Sequence, residues 1–574
     1  MQQRLNWLSF ARIAAFLAFL FAGYKATQLQ TPLSVILTVL LIAVFFVLVK
    51  WYDRLEHQTL FYKALAKFNQ DEITFLQSNR SLYPSGEEYE DPHHPYSYDL
   101  DIFGKGGLFA HINRCSTKFG RQALAKALLS PDISQIAQKQ QAVKELSEKN
   151  DFRQTLYAHG ILHPVKEKDL QKLHHWIQQP GAFIGKAMYY VILAFSAATI
   201  FSIIYYFFLG ADTAFTFSYS LFFINLILTS AFSKRISTQL SVAGTAGKIL
   251  ESHQQQLKTI EQQEWQSPLL QQYKQQLLTG QETASKSLGR LVRIFENLES
   301  VINIMVSILL NGLCLFHLHV LYALGKWQKH HAAKITDWLQ VIGELEMLSS
   351  LGNFAYNNPA YCFPETTNKP AFAATDLGHP LLMQHKRICN DVSFDERRFI
   401  ILTGSNMSGK STFLRTLGVN LLLARAGSVV CAQKFRFYPF DIFVSMRITD
   451  SLQDSESFFY AELKRLQSIM QHLQEGNQTF VILDEILRGT NSNDKRNGTI
   501  GLIKKMVQQQ TFGIIATHDV IVAELIHEYP ETIANKAFES EIINDELLFD
   551  YKLKDGVCTK LSASYLMKKM GIIG

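Results

Sequence analysis

The residues best equipped for chemistry lie between Phe399 and Thr412, FIILTGSNMSGKST, an apolar run that breaks into a glycine-bounded loop and then a lysine and two hydroxyls. Gly404, Gly409, Lys410 and Ser411 satisfy G-x-x-x-x-G-K-[ST]. In that pattern backbone N–H groups wrap the phosphates of a nucleotide, the lysine reaches the β/γ oxygens and the hydroxyl holds Mg²⁺. Downstream, Thr479 to Leu483 is an apolar strand candidate ending in Asp484-Glu485. A carboxylate at a strand tip beside a phosphate loop is placed to hold Mg²⁺ through water, and the next glutamate to polarise the attacking water. A further strand, Phe512 to Ala516, ends in Thr517-His518, where the histidine can sense a γ-phosphate. The chemistry predicted is hydrolysis of ATP, with Lys410, Glu485 and His518 as the catalytic set and Ser411 and Asp484 as the Mg²⁺ ligands.

The elements that must position these groups follow from the pattern around them. Phe399 to Leu402 is a four-residue apolar run that reads as a buried strand, and Thr412 to Arg415 begins a helical pattern whose N-terminus points at the anion. After Leu345 short apolar runs alternate with helical patterns, the signature of a mostly parallel sheet. Ser457 stands just ahead of an amphipathic stretch, Phe459 to Leu473, where a hydroxyl and helix N-terminal amides suit an anion or simply cap the helix.

At 574 residues and 47% hydrophobic content the chain is long enough for several domains. Its net charge of +6 is too mild and too dispersed to announce a nucleic-acid binder, and is compatible with an anionic membrane surface. Six scattered cysteines without a C-x-x-C pair indicate neither a zinc site nor a disulfide framework. The expected setting of the nucleotide site is therefore the reducing cytoplasm.

Two apolar hairpins set the chain apart from a soluble enzyme. Ile13 to Tyr24 and Pro32 to Val49 are almost free of charge and joined by a link carrying only Lys25; a signal peptide is the rival reading of the first segment. Ala187 to Gly210 and Phe215 to Phe232 form the second pair, with Lys186 before it and Lys234-Arg235 after it, as the positive-inside rule expects of two cytoplasmic ends. A fifth stretch, Val301 to Leu324, contains Asn303, Asn311, His317 and His319 and is expected to be a buried core helix with satisfied histidines rather than a span. His93-His94 lies in the Pro- and Gly-punctuated loop Leu82 to Tyr98 and reads as a turn rather than a metal site. From Leu240 to Leu298 glutamines dominate but apolar residues keep recurring, which predicts long amphipathic helices forming an arm.

The motifs together resemble one family. Thr403 to Thr412, with its Asn406-Met407 pair, is similar to the phosphate loop TGxNMxGKST of the MutS mismatch-repair ATPases, so that Gly404, Ser405, Asn406, Met407, Ser408, Gly409, Lys410, Ser411 and Thr412 are all implied as nucleotide-binding. Asp484 to Thr490 resembles that family's DExxRGT, and Ala516-Thr517-His518 its ATH. Asp450 to Glu462 resembles the signature loop DDxxxxxSTFxxE, with Ser457, Phe459 and Glu462 in place and Phe458 where threonine is usual. Gly556 to Lys560 with Ser564-Tyr565 is similar to the closing segment. The resemblance covers His379 to Gly574 and, more faintly, Tyr98 to Leu156; the mismatch-reading N-terminal domain has no counterpart.

The resemblance implies a homodimer with composite ATP sites, Ser457 reaching the partner's nucleotide, and binding of double-stranded or branched DNA. The resulting fold expectation is an α/β P-loop ATPase domain of the ABC type over 346–574, preceded by helical core segments at 51–185 and 234–345 and by transmembrane hairpins at 1–50 and 186–233. Two function classes stay open: a multi-pass membrane ATPase, with its ATPase domain in the cytoplasm, that acts on DNA, and a membrane-anchored ATP-driven switch acting on protein or lipid partners. A transporter shares the loop logic, but four spans without ionisable residues argue against a substrate pathway.

Overall fold

The computed structural model describes the whole chain except residues 30, 164–166, 179–183, 210–211, 280–281, 300–303, 448–457, 544–545, 559–571 and 573–574. It divides into two compact units, one made of Met1–Ile73, Gln154–Gln263 and Gln276–Leu339, the other of Thr74–Arg153, Glu264–Gln275 and Gln340–Gly574. The predicted segment boundary at residue 50 falls inside a helix, since Pro32–Ser78 is continuous from its apolar start to its polar end.

The second unit is built on a six-stranded sheet. Its strands are β1 (Phe399–Gly404), β2 (Asp441–Ser445), β3 (Thr479–Asp484), β4 (Phe512–Thr517), β5 (Ile533–Ile543) and β6 (Glu546–Asp555), in the order β6-β5-β1-β4-β3-β2. All neighbours are parallel except β5 and β6. Every residue of β1, β3 and β4 is buried, as expected of strands covered on both faces. Phe399, Ile401, Val481, Leu483 and Ile515 share a core with Ile469 of helix Phe458–Gln474 and with Ile503 and Met506 of helix Ser492–Gln508. Against the other face lies helix Lys410–Arg425, where a Cβ on Gly418 would come within 2.6 Å of Leu100 and 3.2 Å of Ile482. The glycine lets that helix sit close to the sheet. A four-stranded sheet (Glu365–Thr366, Lys434–Phe437, Phe372–Leu377, Asn390–Ser393) joins this core through aromatics, with Phe372 stacked on Phe480 at 5.1 Å.

Around the sheet, Lys118–Leu129 and Ile136–Glu148 are helices whose apolar faces are buried. The first is capped by Thr117, and Thr117 is held by Glu346, which accepts from its N–H at 3.1 Å and its hydroxyl at 2.6 Å. Asp99 accepts from the N–H groups of Met446 and Arg447 at 2.8 and 2.7 Å and from Arg465 at 2.8 Å, fixing the chain just beyond β2. Among the described residues His94 joins no metal-type cluster: its Nδ1 accepts from Ser97 N–H at 3.2 Å and its Nε2 lies 3.2 Å from the Leu129 carbonyl, so it holds the turn.

The first unit is helical. Helix Gln2–Leu29 runs antiparallel to the start of Pro32–Ser78, with Arg12 over the Tyr52 ring at 3.9 Å and Phe16 5.6 Å from Phe45. Helices Lys186–Leu209 and Asp212–Ala231 pair likewise, Ser218 donating to Ser202 at 2.9 Å and Asn225 to Thr199 at 3.0 Å. These four helices are long and apolar enough to cross a membrane, and they carry outward Trp7, Phe21, Val47, Phe201 and Phe217. The glutamine-rich region forms the expected long helices only at its two ends: Ser233–Gln262 packs along Ala284–Glu299, whose start is held by Glu261 accepting from Ser285 N–H at 2.9 Å, while between them lie the short helix Pro268–Gln276 and a two-stranded hairpin of Leu278–Thr279 and Glu282–Thr283.

The fifth apolar stretch differs from the single buried helix expected. Its described part is two helices, Ile304–Cys314 and Phe316–Asn357, separated at Leu315, whose φ of 51° is left-handed. Leu315, Leu318, Leu321 and Leu324 are fully buried, but Ile304, Met305, Ile308 and Leu309 are exposed, so its first half is not core. The polar groups are satisfied as expected: Asn311 lies 2.7 Å from His317 Nδ1, and Ser196 lies 3.2 Å from His319 Nε2. Asn225 donates to the Gly312 carbonyl at 2.8 Å, so the second hairpin helps pair this backbone. Asn303 lies outside the described residues.

Candidate nucleotide site

The parallel register brings the predicted groups to one edge. Ala516 on β4 pairs with Leu402 on β1 and with Asp484 on β3, so the carboxyl ends of all three strands open at the same level. Ligands of open parallel sheets collect at that edge. From β1 the chain enters the loop Ser405 to Gly409 and then the helix that starts at Lys410. Gly409 has φ 99° and a Cβ there would lie 2.9 Å from Tyr551, so both the turn and the close approach require glycine. Gly404 is equally confined, a Cβ falling 2.8 Å from Ser408 Oγ and 2.9 Å from the Phe538 carbonyl.

Lys410 folds back over its loop, donating to the carbonyls of Gly404 and Ser405 at 2.9 Å each, with Nζ 3.4 Å from His518 Nε2. Burial pulls its ammonium below the ordinary lysine value while Glu485 and Asp484 oppose the shift. Ser411 donates to Asp484 Oδ2 at 2.6 Å. Asp484 Oδ1 is buried without a hydrogen-bond partner, as is Ser405 Oγ. An orphaned carboxylate oxygen beside a serine hydroxyl is a hard oxygen donor set that fits Mg²⁺, which would supply charge neutralisation at the phosphates.

Glu485 carries a left-handed φ of 49° and follows directly on β3. Its N–H donates to the Ala516 carbonyl at 3.0 Å, and Arg488 donates to the carbonyls of Glu485 at 2.9 Å and Asp484 at 3.1 Å. The carboxylate lies 2.5 Å from His518 Nε2, and that hydrogen bond, against burial, holds it down to about 2. It is therefore ionised at any physiological pH and has an imidazole beside it to hold or move a proton. Behind it, buried Glu462 accepts from Leu487 N–H at 2.6 Å and Arg488 N–H at 3.2 Å.

Lys410, Ser411, Asp484, Glu485 and His518 thus come together. Ser405, Asn406, Met407, Ser408 and Thr412 frame the same loop, with Met407 at φ 66° and 76% exposed at its mouth. Ser457 lies outside the described residues, as does the tail from Thr559 to Tyr565. Cys558, just before that tail, donates its N–H to Thr403 Oγ1 at 2.8 Å.

A cavity of about 500 Å³ extends from the loop, and half its wall escaped the sequence reading: Leu377, His379, Leu382, Ile388, Asn390, Phe538 and Tyr551. These residues come from four separate segments with no shared pattern, so only the fold assembles them. Burial holds His379 down to about 4, with Arg415 and Arg387 acting the same way, which leaves a neutral imidazole. The lining combines apolar and aromatic side chains, Leu377, Leu382, Ile388, Phe538 and Tyr551, with Lys386, Asn390 and the phosphate-loop residues up to Ser411. That combination suits a molecule that carries both a flat base and phosphates.

A strand–glycine loop–helix unit with its lysine, its Mg²⁺-type carboxylate and a base-sized cavity defines a P-loop nucleotide-binding domain. The chain also matches two family models, MutS domain V over residues 400–572 and MutS domain III over residues 97–355. It belongs to the MutS family. The domain III match runs across the second apolar hairpin and is wider than the stretch over which the motifs carried the resemblance. Among curated relatives, the DNA mismatch repair protein MutS of Thermotoga maritima is 31% identical over 243 residues, 41% of this chain and 30% of that protein. The protein of the same name from Thermotoga sp. strain RQ2 is 30% identical over 253 residues, 42% of this chain and 31% of that protein. The chain thus spans about a third of the length of these relatives.

Lys410→Ala is expected to abolish ATP binding, measured by equilibrium titration with a fluorescent ATP analogue. Glu485→Ala should retain binding and lower turnover by roughly 10²–10⁴, because that carboxylate acts only as the transition state forms. Wild-type turnover in the Glu485 variant would remove it from the catalytic set.

Proposed function

We propose that this chain is a membrane-anchored, ATP-hydrolysing member of the MutS family that works as a homodimer and acts on double-stranded or branched DNA. The observation that carries the ATPase part is the convergence of Lys410, Ser411, Asp484, Glu485 and His518 at one sheet edge. Lys410 holds the phosphates, Ser411 and Asp484 would hold the Mg²⁺ that neutralises their charge, Glu485 orients water, and His518 takes part in moving its proton. The far side of the γ-phosphate needs covering to exclude water, and the resemblance of the loop around Ser457 to the family's signature loop supports giving that place to Ser457 of a second chain.

Membrane anchoring rests on the four long apolar helices with outward aromatic and aliphatic side chains, which lipid covers better than water. The flanking Lys186 and Lys234-Arg235 support a cytoplasmic ATPase domain by the positive-inside rule. A second reading, an ATP-driven switch on protein or lipid partners without DNA, is favoured by the arm itself. Between Gln254 and Gln276 its cations are Lys258 and Lys274 alone, a weak electrostatic footprint for a phosphate backbone.

Three measurements test this proposal, and the first separates the two readings. Salt-titrated binding of homoduplex, mismatched and branched DNA to the detergent-solubilised chain should give specific binding with a steep log-salt slope; no binding at low salt favours the switch. Cysteines introduced near Gln28 and Asp212 should label from outside intact cells and one near His331 should not; labelling at His331 overturns the topology. Mixing Lys410→Ala chains with Ser457→Ala chains should partly restore turnover, because a cross-chain arrangement leaves one of the two sites free of lesions. No recovery, with mixed dimers shown to form, would count against the composite site.

A further inference from the structure

Within the first unit, three metal-ligating side chains come together. His57 lies on helix Pro32–Ser78, His163 just beyond helix Asn150–Ile161, and Glu251 on helix Ser233–Gln262. One donor atom from each lies within 4.8 Å of the others. Glu251 Oε1 is 3.6 Å from His57 Nε2, and Oε2 is 3.8 Å from His163 Nε2. Both separations are too long for hydrogen bonds, whose N···O distances run about 2.7–3.2 Å. Each histidine thus stands, to its own carboxylate oxygen, roughly half an ångström or less beyond the ~3.3 Å edge that tetrahedral zinc bonds of about 2.0–2.1 Å set between neighbouring donors, and the set of one donor per residue would have to contract from its 4.8 Å span on binding. The three groups converge without bonding one another, which is the geometry a cation between them would complete.

The convergence is built by the packing of the helices. Helix Pro32–Ser78 runs antiparallel to Asn150–Ile161 with Phe61 against His159 at 4.8 Å, Phe68 against Tyr157 at 4.7 Å, and Asn69 and Gln154 exchanging amide hydrogen bonds at 3.1 Å. One turn further along that ladder, the next pair is His57 and His163, their rings 6.5 Å apart and nearly perpendicular. Helix Ser233–Gln262 is tied to the same helix by Gln256, which donates to the Leu156 carbonyl at 3.2 Å.

Two further observations point to a cation. His163 Nε2 is a buried atom with no hydrogen-bond partner, aimed at Glu251. Glu296 and Glu299 add negative charge close to Glu251, with Arg293 and Lys248 as cations that oppose it.

We infer that His57, His163 and Glu251 form a site for a divalent transition-metal cation of the zinc class, two imidazoles and a carboxylate with at least one position open to water. The donor set excludes Mg²⁺ and Ca²⁺, which take oxygen ligands, and suits zinc. The bound ion ties three helices at one point, so metal occupancy and the stability of this unit are linked.

The test uses the full-length chain in detergent, stripped with chelator, kept in excess Mg²⁺ and titrated with zinc alone. One zinc per chain is expected by elemental analysis. His57→Ala, His163→Ala and Glu251→Gln should each weaken it at least tenfold, while His93→Ala, in the exposed loop, leaves it unchanged. Zinc should raise the thermal midpoint of the wild type and not of the variants, each first shown to be folded by far-UV circular dichroism and nucleotide binding. Cobalt in the wild type should give the visible bands of a low-coordinate nitrogen-ligated ion, a readout that needs no variant to fold. Absence of zinc uptake by the wild type, unchanged uptake in all three variants, or a cobalt spectrum of the hexa-aqua type overturns the site.

Discussion

The hydrogen bond from Ser411 to Asp484 joins the first turn of a helix to the tip of a strand two places away in the sheet, at 2.6 Å. It can form only if β4 lies between β1 and β3 in strict parallel register, so that Leu402 and Asp484 face the same residue, Ala516. That register in turn needs β4 to sit close on both sides. Gly513 provides the closeness, since a Cβ there would lie 2.6 Å from the Val481 carbonyl and 3.2 Å from Phe399. Everything at the site inherits its position from this alignment: Lys410 precedes Ser411, Glu485 follows Asp484, and His518 follows the end of β4. The small residue in the sheet interior and the polar pair at its edge are parts of one constraint.

The strands that carry the site were legible because each is a short apolar run of buried residues ending abruptly in polar ones; β3 is Thr479 to Leu483 as read, extended by Asp484 itself. The loop was legible because glycine, lysine and hydroxyl at fixed spacing have few other uses. The other wall of the cavity was not, since His379, Ile388, Phe538 and Tyr551 meet only through long-range topology and none breaks a local pattern. The same is true of His57, His163 and Glu251, which no spacing rule connects. The adjacent pair His93-His94, by contrast, draws the eye in sequence and turns out to hold a turn. Composition likewise could not say where the stretch after Ile304 turns, because the left-handed residue there is a leucine, a type with no preference for that conformation.

Polar residues inside apolar helices follow a common rule here. Ser196, Thr199, Ser202, Ser218 and Asn225 each find a partner on a neighbouring helix or on their own preceding turn. Such pairing removes the several kcal/mol that an unsatisfied polar group costs in an apolar medium, and contributes little more than specificity of register, since double-mutant measurements in membrane bundles average about 0.6 kcal/mol per bond. Asn225 is the most connected case, because its amide NH₂ donates both to Thr199 and to the Gly312 backbone and so links three helices, although its Oδ1 is left buried without a partner. Gly312 is also the point where a Cβ would run into the Phe222 ring, at 2.1 Å, so close packing and amide pairing coincide.

Two carboxylates bracket the segment to which Ser457 belongs, and they do different things. Asp99, in the loop after Tyr96, grips the N–H groups of Met446 and Arg447 at its near end. Glu462, on the helix that follows, grips the N–H groups of Leu487 and Arg488. Those amides belong to the turn that Glu485 begins, a turn already bent into left-handed φ at Glu485 and Leu487 and clasped by Arg488 on its carbonyls. A buried carboxylate shared between two amides tolerates little displacement, since pulling it away leaves both donors and the acceptor unpaired in a dry place. Glu462 therefore ties helix Phe458–Gln474 to the turn that bears Glu485. The other end of the same helix shares the core of β3 through Ile469 and Leu473, so the helix is held at both ends against the sheet edge that carries the site.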